Sequence, residues 1–246
     1  MPDEKHREPV FNVPGAVLGT VAVLVLIHAG RTYLLSAETN EWLLLAMAFI
    51  PARYAGFANE IPGGEVAMYT SFFTHVLVHA DVIHLSINSA WLLAFGSVLN
   101  KRMGAWRFLA FSVFGGVAGA LAFLVANPGL AAPVIGASGA IAAMMGGVMR
   151  FLFPAIDQKR GYLLRDNPAA IPRMSLMQSL TDKRIVLASI VFVGLNLMAI
   201  IGFGGMGEMH AIAWEAHLGG YFFGLLAFAA FDVAAQKSSP SGLEHE

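Results

Sequence analysis

The chain contains no cysteine, which excludes disulfides, thiolate metal sites and a cysteine nucleophile. It is also poor in charge: only 13% of its 246 residues are Asp, Glu, Lys or Arg, about half the share usual in a soluble domain. A formal net charge of −1 gives no electrostatic case for nucleic acid. The H-E-x-x-H metalloprotease motif is missing, and His75 and His79, four apart, lack a Glu between them, so no metal or other cofactor is expected. What the chain has in excess is apolar sequence, 57% of the total. Residues 108–149 form a run of 42 positions without one charged side chain, room for two bilayer crossings at about 20 residues each. The composition is that of a polytopic, all-α membrane protein.

Charges and Pro/Gly breaks mark off six apolar segments, about 15–35, 81–99, 106–126, 137–153, 185–204 and 211–231. Lys5, His6 and Arg7 precede the first as they would a signal peptide, but its apolar run is too long for one, so it reads as an uncleaved anchor. With the N-terminus in the cytoplasm, 13 of the 15 Lys and Arg fall on the inner side, leaving Arg31 and Arg53 outside. The expected layout is a cytoplasmic segment 1–14, a six-span membrane domain 15–234 with a long cytoplasmic loop at about 154–182, and a cytoplasmic tail 235–246. Both termini lie inside. In the 37–70 stretch the apolar run Trp42–Ile50 is too short to cross and stops at Pro51, which reads as an interfacial outer loop between the first and second spans.

Ionisable and amide side chains inside spans are costly and mark functional sites. His84 and Asn88 lie four apart on one face of the second span, with Trp91 three further on and Asp81 as the N-cap. Ser138 opens the fourth span within Gly136-Ala137-Ser138-Gly139, and His217 shares a face of the sixth with Gly220 and Gly224. The second, fourth and sixth spans all enter from outside, so these residues share the outer third of the membrane. Gly139, Ala143 and Gly147 on one span and Gly220 and Gly224 on another allow close helix contact, within which a hydroxyl could reach an imidazole. Taken singly, each has a plain reading: Ser138 as a helix cap, His217 as an interhelical bond, the small residues as packing. Asn196 in the fifth span has no evident partner and reads as a structural hydrogen bond.

Together, Gly136-Ala137-Ser138-Gly139, Ala216-His217-Leu218-Gly219-Gly220 with Gly224, and His75, His79, His84 and Asn88 at their spacing resemble the rhomboid family of intramembrane serine proteases. The resemblance covers about residues 67–232. It implies a six-transmembrane-helix bundle, Ser138 as nucleophile and His217 as general base. His84 and Asn88 would surround the oxyanion with the Ser138 N–H, and His79 would bond the outer loop. It further implies transmembrane segments of other proteins as substrates, lipid as surroundings, and a bacterial inner membrane as location. Two family features are missing: no Trp-Arg pair occurs between residues 37 and 70, and the aromatic ring that some members carry one turn after the serine is here Ala142. The group that orients the His217 ring is therefore not named by the resemblance.

Two other classes compete. A non-proteolytic rhomboid-like protein that binds and escorts membrane clients would typically lack the serine or the histidine, and both are present. A proton or ion transporter built on His84, Asn88 and His217 would need polar residues through the whole membrane depth, and the inner halves of these spans are apolar.

Overall fold

The computed structural model describes residues 12–200 and 213–232. The basic cluster at Lys5–Arg7, the ends of the fifth and sixth expected spans at 201–204 and 211–212, and the tail at 235–246 lie outside them. Eight longer helices carry the architecture: α1 (Gly15–Leu34), α2 (Ala37–Met47), α3 (Gly64–Thr74), α4 (Val82–Met103), α5 (Ala105–Ala126), α6 (Ser138–Asp157), α7 (Lys183–Ile200) and α8 (Trp214–Phe231). No strand occurs among the described residues, only an isolated bridge between Phe49 and Val134. The fold is all-helical, and α1, α4, α5 and α6 are long and apolar enough to cross a membrane. The helices of the fifth and sixth expected spans, α7 and α8, have 18 described residues each.

Local chemistry sets most boundaries. Asp81 caps α4 as expected, its carboxylate accepting from the His84 N–H at 2.8 Å. The second span runs past residue 99 because its chain widens into a π-helical stretch at Leu92–Gly96 and then continues, ending only at Gly104 with φ +82°. The fourth span likewise overruns its expected end at 153. Pro154 sits inside α6 and removes a hydrogen bond to the Arg150 carbonyl, but Met174 N–H fills that acceptor at 2.8 Å. Helix α3 was not anticipated. It starts after Gly63, where φ is +89° and a Cβ would stand 2.8 Å from that of Ala67.

Helix α6 is the centre of the bundle, with 72% of its span buried against 22% for α1. Glycines let α8 lie directly on two neighbours. A Cβ on Gly220 would collide with the Gly139 carbonyl, and one on Gly224 with that of Ala143, both on α6. A Cβ on Gly219 would strike Ala122 of α5. The expected small-residue faces therefore do meet, with one change: Gly146, not Gly147, faces the α8 backbone at Tyr221, while Gly147 accommodates the rings of Phe111 and Phe228. Large apolar side chains point outward instead on α1, α4, α5 and α7, among them Leu26, Ile83, Val125 and Ile190.

One end of the bundle is laced by arginines. Arg102 is buried against Asp232 at 2.9 Å and donates to the carbonyls of Pro168 and Ile171. Arg150 donates to those of Leu225 and Met174. Residues 154–182, read as a polar loop, are thus tied to the helix ends, with short helices at Tyr162–Asp166 and Leu176–Thr181.

Candidate active site

The opposite end gathers the starts of α4, α6 and α8. Ser138 is the first residue of α6, but its side chain does not cap the helix; Ala137 holds the N-cap position without a side-chain bond. The Ser138 hydroxyl instead meets His217 Nε2, in the first turn of α8, at 2.7 Å. The plain reading of Ser138 as a cap therefore fails, and the two residues marked out in sequence are in contact. The first intrahelical bond of α6 runs from Ile141 N–H to Ala137 O, so the N–H groups of Ser138, Gly139 and Ala140 lie ahead of it at the positive end of the helix.

The loop ahead of Ser138 is shaped by Gly136. Its φ of +103° suits glycine, and a Cβ there would stand 2.6 Å from His84 Nε2. A bond from Gly136 N–H to His75 O at 2.9 Å ties this loop to the segment before α4. His84 therefore lies over the approach to Ser138. Its Nδ1 faces the Ala80 N–H at 3.5 Å and its Nε2 faces Gly136. Asn88 is buried, and one of its amide hydrogens goes to the His84 carbonyl at 2.9 Å.

Two side chains stand elsewhere than expected. Trp91 does not share the buried face of Asn88: it is half-exposed and stacks on Phe95 at 5.4 Å between centroids. The His79 ring does not bond the outer loop. Both its nitrogens are without a hydrogen-bond partner among the described residues, and its ring packs edge-on to His84 at 5.0 Å, while its carbonyl accepts from Arg31. Glu215, two residues before His217, is turned away from it and accepts from Asn127 Nδ2 at 2.9 Å.

One residue of the constellation escaped the sequence reading. Asn196 of α7, assigned no partner there, accepts from His217 Nδ1 through its Oδ1 at 2.7 Å. Helix α7 is held in reach by a bond between Ser189 and Tyr221 at 2.7 Å and by stacking of Phe192 on Tyr221. The available signal was an amide in an apolar span, which needs a partner; the pairing across 21 residues carried no sequence mark.

A family model, the Rhomboid domain, matches residues 66–232. The chain belongs to the rhomboid family. Among curated proteins it is similar to the rhomboid protease GluP of Bacillus subtilis (strain 168), with 30% identity over 90 residues, 37% of this chain and 17% of that protein. The putative rhomboid protease YdcA of the same strain is 28% identical over 123 residues, 47% of this chain and 58% of that protein. Human rhomboid-related protein 3 is 38% identical over 74 residues, 30% of this chain and 18% of that protein. The chain thus spans less than two thirds of each of these relatives. The family and the apolar helices together make it an integral membrane protein.

Proposed function

We propose that this protein is an intramembrane serine endopeptidase that cleaves membrane-protein substrates in or near their transmembrane helices. The observation that carries the reading is the 2.7 Å contact between Ser138 Oγ and His217 Nε2 at one end of a helical bundle. In the proposed reaction His217 Nε2 takes the Ser138 proton as Oγ bonds to the scissile carbonyl carbon. The oxyanion accepts from the leading N–H groups of α6, from His84 Nε2–H and from the second amide hydrogen of Asn88. Collapse expels the amine, which takes the proton back from Nε2, and water then hydrolyses the acyl-enzyme by the same route. Intact helices hide their carbonyls, so segments that unwind easily near the site are preferred. The bundle crosses the membrane six times, with α7 and α8 as the last two spans, both termini and the arginine-laced end in the cytoplasm, and the 37–70 region at the outer interface. A bacterial inner membrane fits this orientation.

The test is covalent labelling of the purified, detergent-solubilised protein with a fluorophosphonate, alongside cleavage of a single-span substrate. Wild type should do both, and Ser138→Ala and His217→Ala neither, while remaining folded. A wild type that takes no label, yet binds membrane proteins, would favour the escort reading.

A further inference from the structure

We infer that Asn196 is a positioning residue for the proposed base, a third member that holds the His217 ring in its working tautomer; the inference rests on the protease reading above. Asn196 is nine-tenths buried, and its two amide atoms are engaged in different ways. Nδ2 donates to the Phe192 carbonyl of its own helix at 2.8 Å, a partner that can only accept. Oδ1 is therefore the atom that faces His217 Nδ1 at 2.7 Å, and an amide oxygen can only accept in turn. The shared hydrogen must sit on Nδ1. With Nδ1 protonated in the neutral ring, Nε2 carries the lone pair, and Nε2 is the atom 2.7 Å from the Ser138 hydroxyl. One helical backbone carbonyl thus fixes the amide, the amide fixes the tautomer, and the tautomer makes Nε2 the base.

Among the described residues Asn196 is the group bonded to Nδ1; Ala142 carries no ring to hold the imidazole, Glu215 is turned to Asn127, and His84 is the titratable side chain acting on His217. A neutral amide serves an intramembrane site better than a carboxylate, because it orients the imidazolium without placing a second charge in an apolar bundle. Amides fill this role beside a histidine in some soluble proteases.

The test compares Asn196→Leu, close in size but without an acceptor, with Asn196→Asp, which keeps the acceptor and adds negative charge, in the full-length protein. Both are measured by substrate cleavage, fluorophosphonate labelling rate and melting temperature. Asn196→Leu should lower kcat by roughly ten- to a hundredfold with KM within about twofold, less than the roughly ten-thousandfold lost with an ionised third member, and slow labelling by a similar factor. Asn196→Asp should recover labelling to within about tenfold of wild type, with the acid limb of kcat/KM moved to higher pH, since a carboxylate beside the ring favours the imidazolium. Cleavage by Asn196→Leu within about twofold of wild type would overturn the inference. So would equal losses in both variants that track melting and leave the acid limb in place, as a merely structural amide requires. If wild type neither cleaves nor takes the label, the protease reading falls and the inference with it.

Discussion

At the residue scale, the site divides polar groups by what their partners leave available. Asn88 gives one amide hydrogen to the His84 carbonyl, and its second is the one assigned to the oxyanion in the proposed reaction. A donor aimed at charge that develops only during reaction acts on the transition state. Asn88→Ala is therefore expected to lower kcat by about a hundredfold or more with little change in KM, measured by steady-state cleavage of a reconstituted substrate. An effect on KM alone would make Asn88 a substrate-binding residue. Glu215 gives the opposite expectation. Its carboxylate is two residues from His217, about 200° around the helix, and accepts from Asn127. Glu215→Gln keeps an acceptor for that amide and should retain at least about a third of kcat/KM, a loss under about 1 kcal/mol. A loss beyond about a hundredfold at unchanged melting temperature would make Glu215 part of the catalytic group.

At the element scale, the contact of α8 with α6 sets the distance between the proposed nucleophile and base. Gly220 lies against the Gly139 carbonyl and Gly224 against that of Ala143, with no side chain between the two backbones. A methyl at Gly224 meets backbone that cannot swing away, so α8 must move. Gly224→Ala is expected to cost about 1–3 kcal/mol of stability. Activity should fall much further, by roughly a hundredfold, because a displacement of about 1 Å at the reacting atoms is enough. Melting in detergent and cleavage rate, measured side by side, check this; a variant with full activity would show that α8 is not what sets the Ser138–His217 distance.

At the scale of the whole molecule, the two ends are built on different chemistry. One brings together a hydroxyl, imidazoles and amides, without an ion pair among the described site residues; the other buries Arg102 on Asp232 and two carbonyls, 130 residues apart in sequence. That pair joins the end of α4 to the end of α8 and to the 154–182 segment. Removing one partner leaves a buried charge, so Arg102→Ala should destabilise by about 3–5 kcal/mol, read from unfolding in mixed detergent. Residual activity in the folded fraction should be near that of wild type, because the pair is at the far end from Ser138. Equal loss of activity per folded molecule would instead mean that the two ends are coupled.

The sequence by itself determined the helical membrane class, since charge is sparse and apolar runs are of bilayer length. It also singled out Ser138, His217, His84 and Asn88, because polar groups are rare enough in such runs to stand out. The Asp81 cap and the glycine faces of α6 and α8 were equally legible, being local patterns with one physical meaning. Helix ends at Met103 and Asp157 were not, for a π-helical widening and a proline rescued by the Met174 N–H depend on neighbours distant in the chain. Nor was the role of Asn196: an amide in a span announces that it needs a partner, but which one depends on how α7 docks on α8. Only the tertiary structure decided that the partner is His217, because hydrogen bonds between helices are set by packing in space, which no spacing along one helix encodes.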